Sequence, residues 1–180
     1  MHTAMIRPAA LETFKRVLIF DSSSWDVDPS LRHVLPGSGG AASDANCKLQ
    51  AGYEYKSGSL GFFAVTEGIK PDQAHSSCLS DHVQSGDLML TDLGYFKLSV
   101  FQKLEDKGAF FLSRFLVGTT LHNADTLEKI ELGEVLRWVD GDILEMNGIM
   151  GNDPSQVKCR LICLRVNEQI ANTRRRKLRQ

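Results

Sequence analysis

The stretch RVLIFDSSSWDVDP, residues 16–29, changes from a continuous apolar run to a carboxylate and three serines. The run from Val17 to Phe20 contains no polar residue, a pattern typical of a strand that is covered on both faces of a sheet. We therefore predict a buried strand over 16–21 that ends on the carboxylate of Asp21. A buried strand that ends on a charged group, beside small hydroxyl side chains, calls for a functional explanation.

The composition sets the class of protein. A chain of 180 residues with 42% hydrophobic residues can bury one good core. The net charge of −1 does not by itself indicate a nucleic-acid binder, but residues 171–180 hold five of the 21 Lys and Arg residues and no acid. An acidic body with a basic end is therefore predicted.

Location is inferred from what the sequence lacks. The four cysteines form no CxxC pair, no apolar run approaches the ~20 residues of a membrane span, and the first residues lack a signal-peptide core. We expect a soluble, cytoplasmic protein with reduced thiols and no membrane partner.

Residues 14–116 predict an α/β core built on a mixed sheet. A hairpin is indicated at 47–55 and 59–67, because Lys56-Ser57-Gly58 separates two extended runs. Pro71 and Asp72 begin a predicted helix, and a second helix follows a short buried strand. The predicted order is β-β-β-α-β-α-β, with helices over 72–84 and 96–107 and later strands over 88–92 and 109–115.

The rest of the chain is divided by composition. Residues 1–13 are a leader, residues 117–166 alternate polar and apolar residues and predict a β-rich insertion, and residues 167–180 predict a basic helix. The last strand of the insertion is expected at 157–166, and Asn167 is a candidate helix cap.

Two predicted central strands end on aspartates, Asp21 and Asp92. Ligand sites gather beyond the carboxyl ends of such strands, and two adjacent carboxylates repel each other unless a cation neutralises them. Oxygen-only ligands favour Mg²⁺ or Mn²⁺, ions that commonly assist phosphoryl transfer. The alternative is that each aspartate is only a turn or cap residue.

Several segments together resemble the catalytic domain of bacterial insertion-sequence transposases of the DDE type, in the branch with a β-rich insertion. The resemblance covers about residues 14–180 and is carried by VLIFDSSS, LPGSGGAAS, CKLQAGYEYKSGSLGFFAVTEG, DLMLTDLGYFKLSVFQKLEDKGAFFLSRF and VKCRLICLRVNEQIANTRRRKL. It implies a ribonuclease H-like fold in which Asp21 and Asp92 are the first and second catalytic carboxylates. Each would hold a divalent metal, Mg²⁺ or Mn²⁺, for nicking and strand transfer on double-stranded transposon ends.

The family's third metal ligand is a glutamate in the pattern Tyr-x2-Arg-x3-Glu-x6-Lys. Tyr53, Tyr55 and Tyr95 all precede the insertion, so this pattern is absent, and Glu168 is assigned no catalytic role. We therefore expect a truncated catalytic domain that lacks the final catalytic helix, is inactive alone, and has a full-length transposase or a second copy as a possible partner.

The resemblance also suggests residues for DNA binding. Lys48 and Arg114 match basic residues of the family and are expected at DNA phosphates; the alternatives are a solvated lysine and an arginine paired with an acid in the core. Tyr95 could stack on a base or pack against the sheet. The basic helix would contact phosphates or be only a solvated helix end, with Arg174, Arg175, Arg176 and Lys177 as the predicted residues.

Two other functions stay open. The chain could be a ribonuclease H-like nuclease that recruits its further acids elsewhere. It could instead be a non-catalytic transposase remnant that keeps the fold and at most binds DNA.

Overall fold

The computed structural model describes residues 8–39 and 43–177, so part of the predicted leader (1–7) and the last three residues of the predicted basic helix lie outside the described residues. The chain forms two compact units, one reaching Leu116 and one beginning at Val117. No helix in the described ranges is long and apolar enough to cross a membrane.

The first unit contains a five-stranded mixed sheet. Its strands are β1 (Val17–Asp26), β2 (Asn46–Glu54), β3 (Ser59–Glu67), β4 (Leu88–Thr91) and β5 (Phe110–Ser113). Their order in the sheet is β3-β2-β1-β4-β5, in which β1 pairs antiparallel with β2 and parallel with β4. The predicted mixed α/β sheet, with the strand at 16–21 beside the strand at 88–92, is confirmed.

The prediction that the first strand ends at Asp21 is wrong. Strand β1 continues to Asp26, because β2 pairs with it from Leu18↔Glu54 as far as Asp26↔Asn46. The backbone hydrogen bonds to β2 keep the second, serine-rich half of β1 extended, although its side chains are not buried in an apolar core. The pairing with β4, however, stops at Phe20↔Thr91. Asp21 therefore lies inside β1, at the position where this strand loses its neighbour β4.

Two helices connect the parallel strands. Helix α1 (Asp72–Asp81) precedes β4 and helix α2 (Leu98–Asp106) precedes β5. Helix α2 buries Val100, Phe101 and Leu104, and the ring of Phe101 stacks on Phe111 at 4.3 Å between centroids. This apolar stripe at helical spacing explains why α2 was predictable.

Helix α1 ends three residues earlier than predicted. The N–H of His82 bonds to the carbonyls of Leu79 and Ser80, and the N–H of Gln84 is held by the Asp87 carboxylate at 2.8 Å. The helix therefore ends before residue 82, because the Asp87 carboxylate, which lies outside the helix, accepts the hydrogen bond of the Gln84 N–H that a continued helix would need.

The hairpin turn is held by a buried carboxylate. Glu54 is 7% exposed and accepts hydrogen bonds from the N–H groups of Val17, Lys56 and Ser57. Burial raises the pKa of Glu54, but the bonds from Ser57, Lys56 and Val17 outweigh it and bring the pKa to about 2. Glu54 thus ties the turn to the start of β1.

The elements of the second unit are β6 (Leu121–Asn123), α3 (Leu132–Trp138), β7 (Ile143–Met150), β8 (Val157–Leu164) and α4 (Glu168–Lys177). The strands form an antiparallel sheet of order β6-β7-β8. Residues 132–138, expected in a β-rich region, form a helix instead, because Leu132, Val135 and Leu136 have i, i+3, i+4 spacing. Asn167 caps the last helix as predicted, accepting from the N–H of Ile170 at 3.0 Å.

Candidate metal centre

The two predicted metal aspartates follow the last paired residues of two adjacent parallel strands. Phe20 on β1 pairs with Thr91 on β4, and the next residue in each strand direction is Asp21 or Asp92. Both side chains are exposed to solvent. Paired residues of parallel strands lie side by side. Asp21 and Asp92, which directly follow the last pair, therefore lie at the same end of the paired segment.

Each aspartate uses one oxygen to fix its own backbone. Asp21 Oδ1 accepts from the N–H of Ser22 at 2.8 Å, and Asp92 Oδ1 accepts from the N–H of Gly94 at 2.8 Å. The second bond caps the short 3₁₀ turn Leu93–Tyr95. Within the described residues neither Oδ2 atom accepts a hydrogen bond, so one oxygen of each carboxylate is available to a cation.

The centre contains a third carboxylate, Asp72, which sequence reasoning used only as a helix start. Its Oδ1 atom accepts from Ser22 Oγ at 2.9 Å, Lys48 Nζ at 3.1 Å and Gln50 Nε2 at 3.2 Å. Burial raises the pKa of Asp72, but the bonds from Lys48, Ser22 and Gln50 and the charge of Lys48 lower it overall. Asp72 is therefore held as an anion.

Lys48 is largely buried, not a solvated strand lysine. Its side chain is 13% exposed, and its amine donates to the Lys70 carbonyl at 2.7 Å as well as to Asp72. The solvated alternative is thus wrong, and a contact to a DNA phosphate would have to compete with this ion pair.

Tyr95 and Gln50 connect the carboxylates to the core. Both side chains are 1% exposed, and the Tyr95 hydroxyl donates to Gln50 Oε1. Burial, followed by the charges of Asp72, Asp21 and Asp92, raises the pKa of Tyr95 to about 12. Of the two expectations for Tyr95, packing in the sheet is the one found, because a buried ring cannot stack on a base.

Gly94 lies between two of the carboxylates. A Cβ atom at this position would be 3.1 Å from Asp92 Oδ1 and 3.2 Å from Asp72 Oδ2. A side chain would therefore crowd both oxygens, each of which would have to shift by a few tenths of an ångström.

Arg114 lies at the same edge of the sheet. It follows Ser113, which pairs with Thr91, and its side chain is exposed. Within the described residues it forms no ion pair, so the expected alternative of pairing with an acid in the core is not found.

The basic cluster lies on α4 in the second unit. Arg174 and Arg176 are exposed. The side chains of Arg175 and Lys177 lie outside the described part, as does the whole of residue 179. Glu168 begins the same helix and is exposed.

The donor chemistry of the centre fits a hard cation. Mg²⁺ and Mn²⁺ prefer carboxylate oxygens, and Asp21 and Asp92 each offer one. In the described ranges, no group of three or more His, Cys, Asp or Glu residues is arranged to hold a metal ion. Two carboxylates alone do not complete the ligand set of such an ion.

Comparison with known proteins identifies the class. Residues 12–177 match the transposase DDE domain family, and the chain belongs to this family, as the sequence predicted. It is 36% identical over 120 residues to the transposase for insertion sequence element IS231C of Bacillus thuringiensis subsp. berliner, which covers 67% of this chain and 25% of that protein. It is also 29% identical over 172 residues to the transposase for insertion sequence element IS1151 of Clostridium perfringens, covering 87% of this chain and 36% of that protein.

The chain thus spans about a quarter to a third of the length of these bacterial relatives. Among solved structures, a piggyBac transposase synaptic complex with hairpin DNA aligns with a TM-score of 0.46 and 12% identity, covering 85% of this chain and 35% of that chain. That likeness is too distant to carry an argument.

Proposed function

We propose that this chain supplies the first two metal-binding carboxylates, Asp21 and Asp92, of a DDE transposase that nicks and joins DNA strands. The observation that carries the proposal is the parallel register Phe20↔Thr91, after which both aspartates follow at one edge of the sheet. Family membership supplies the reaction class.

The sheet topology supports a ribonuclease H-like fold. Three antiparallel strands are followed by two parallel ones, each reached through a helix, and the order is β3-β2-β1-β4-β5. This is the predicted β-β-β-α-β-α-β arrangement, with the long β1 at the centre and the aspartates beside its parallel neighbour.

Asp21 and Asp92 would hold Mg²⁺ or Mn²⁺ through their Oδ2 atoms. When bound, such an ion stabilises negative charge on the attacking and leaving oxygens of a phosphoryl transfer. The chain's own contribution is to fix the two carboxylates, each through one backbone N–H, so that they do not rotate away. Since hard cations need several oxygens and the printed sequence contains no Tyr-x2-Arg-x3-Glu-x6-Lys pattern, we expect weak cation binding and at most trace nicking from these 180 residues.

Double-stranded DNA of the transposon ends is the proposed substrate. Arg114 lies exposed beside the aspartates and could bind a phosphate there, whereas Arg174, Arg175, Arg176 and Lys177 would add phosphate contacts from α4. A full-length transposase or a second copy of this chain is the proposed protein partner, and the bacterial cytoplasm, where such DNA lies, is the proposed location.

The test is a titration of the purified chain with Mn²⁺ or Mg²⁺, followed by NMR. Amide signals of Asp21, Asp92 and Gly94 should broaden or shift, and Asp21→Ala or Asp92→Ala should abolish the effect. Asp106→Ala is the matched control, because Asp106 is an exposed acid at the end of α2. Unchanged signals at millimolar cation, or an equal loss in Asp106→Ala, would contradict the proposal.

The non-catalytic remnant is favoured by one observation, the lack of a three-ligand group in the described residues. It predicts DNA binding without any effect of cation at Asp21 or Asp92. Robust Mg²⁺-dependent cleavage of DNA, abolished by Asp21→Ala, would instead indicate a nuclease whose site is completed by another acid, and Glu168 would be the first to mutate.

A further inference from the structure

We propose that Asp72 is a positioning residue of this centre, which holds the backbone segments that carry Asp21 and Asp92 in one arrangement. The inference rests on the proposed function of the two aspartates and adds a residue that the sequence did not single out. It is carried by contacts on both sides of Asp72.

The first contact reaches β1. Ser22 directly follows Asp21, and its Oγ donates to Asp72 Oδ1 at 2.9 Å, while its N–H donates to Asp21 Oδ1 at 2.8 Å. Ser22 is therefore bonded to both carboxylates at once. Fixing its side chain to α1 also fixes the peptide group that orients Asp21.

On its other side, Asp72 lies close to the turn after β4. Asp72 Oδ2 lies 3.2 Å from the point where a Cβ atom of Gly94 would be, and the N–H of the same residue donates to Asp92 Oδ1. Asp72 thus lies against the glycine whose backbone holds Asp92.

A buried frame fixes Asp72 itself. Lys48 and Gln50 donate to Oδ1 from β2, and Gln50 accepts from the hydroxyl of Tyr95 in the turn after β4. Gln50 and Tyr95 are fully buried. Because buried polar groups that are all hydrogen-bonded define one arrangement, β1, β2, α1 and the turn have a common anchor at Asp72.

The arrangement argues against Asp72 as a metal ligand, because no group of three or more His, Cys, Asp or Glu residues among the described residues is placed to hold a metal ion. Three donors, one of them an ammonium group, already occupy Oδ1. Asp72 therefore acts through Ser22 and Gly94. Groups that orient metal-binding carboxylates typically change metal affinity about 10–100-fold when they are removed.

The test compares Asp72→Ala with Asp72→Asn. Both variants lose the same charge, but only asparagine keeps an oxygen that can accept from Ser22, Lys48 and Gln50. We expect Asp72→Ala to weaken Mn²⁺ binding about tenfold or more, and Asp72→Asn to stay close to the original affinity. Asp81→Ala is the matched control on the same helix, where Asp81 is exposed at the other end.

Affinities are measured by NMR titration well below the unfolding temperature of each variant, so that every sample is folded. Equal loss in Asp72→Ala and Asp72→Asn would mean that the charge matters and not the position. Reduced stability with unchanged affinity in Asp72→Ala would show a role in the fold only. Either result overturns the proposal.

A measurement without metal separates this inference from the proposed function. In metal-free samples, Asp72→Ala should shift the amide signals of Asp21, Ser22 and Gly94, and Asp72→Asn should shift them much less. If the original chain binds no cation, the proposed function fails, while these metal-free shifts still decide whether Asp72 positions the two segments. Amide signals that stay in place in Asp72→Ala would refute the positioning role.

Discussion

Arg16 and Asp87 form an ion pair at the start of β1 and β4, in which Asp87 is buried and Arg16 is partly exposed, and each lies five residues before an aspartate of the candidate metal centre. The guanidinium donates from Nε and from a terminal nitrogen to the Asp87 carboxylate, which is 1% exposed. The Arg16 carbonyl also accepts from the N–H of Leu88 at 2.9 Å. The pair therefore fixes the same parallel register that aligns Asp21 with Asp92 at the far end.

Asp87→Ala should destabilise the protein by about 2 kcal/mol, because it leaves the N–H of Gln84 without its acceptor and removes the carboxylate partner of the partly exposed Arg16 guanidinium. Denaturant unfolding monitored by circular dichroism measures the change. Glu145→Ala is the control, since it removes an exposed partner of Arg160 at 3.6 Å and should change stability by less than about 1 kcal/mol. Similar losses in both variants would contradict a special role for the ion pair of Arg16 with the buried Asp87.

Protonation of Glu54 should lower the free energy of unfolding in acid. Its pKa is about 2 in the folded protein against 4.5 for the ordinary group, so the stabilisation is complete above pH 4.5 and is lost as the pH falls toward 2. The loss amounts to as much as about 3 kcal/mol. Glu54→Gln should flatten the dependence between these pH values, as measured by unfolding at a series of pH values, whereas Glu105→Gln, at an exposed position on α2, should not. An unchanged acid limb in Glu54→Gln would exclude this carboxylate as its source.

Two variants of Asp92 should separate its structural role as the cap of a turn from its proposed role in metal binding. Asp92→Ala removes the cap of the turn Leu93–Tyr95 and should lower the free energy of unfolding by about 1 kcal/mol. Asp92→Asn retains an oxygen for the N–H of Gly94 and should keep nearly full stability while losing cation binding. Thermal unfolding and Mn²⁺ titration of both variants give the two quantities, and full cation binding by Asp92→Asn would speak against Asp92 as a ligand.

Arg174 and Arg176 should contribute to DNA affinity through phosphate contacts alone. Each change to alanine should weaken binding to any duplex sequence and reduce the slope of log affinity against log salt by about 1. Fluorescence anisotropy with a labelled duplex at several salt concentrations measures this slope. Arg137→Ala serves as the control, because Arg137 is paired with Glu134 on α3. An equal loss of DNA affinity in Arg137→Ala would mean that the net charge of the protein, and not the basic helix, determines binding.

The fold could be predicted from the sequence where burial dictates the pattern. Val17–Phe20 and Phe101 with Leu104 carry the apolar periods of a covered strand and of a helix, and both elements were found. Residues 22–26 could not be assigned, because their extended form comes from pairing with β2 and not from their own side chains. Helix α3 was missed because its short apolar spacing lies within a region that alternates.

The candidate centre was predictable in part for a similar reason. Asp21 and Asp92 follow apolar runs, so each carries a local signal. Asp72 carries none, because its partners Lys48 and Gln50 lie 24 and 22 positions away and are brought to it only by the hairpin. Its place in a helix-start pair is what sequence reasoning could see.

The 71 positions that separate Arg16 from Asp87 also bear on the order of folding. The β2–β3 hairpin is closed by a short turn and can form early, since closing a small loop loses little chain entropy. The parallel pairing of β1 with β4 closes a long loop that contains the hairpin and α1. The chain entropy lost on closing this loop is offset only after the two strands have paired, so we expect this pairing to form late. We therefore expect the centre to be assembled in the last steps of folding, and a chain that opens β4 and β5 transiently would lose it while the hairpin persists.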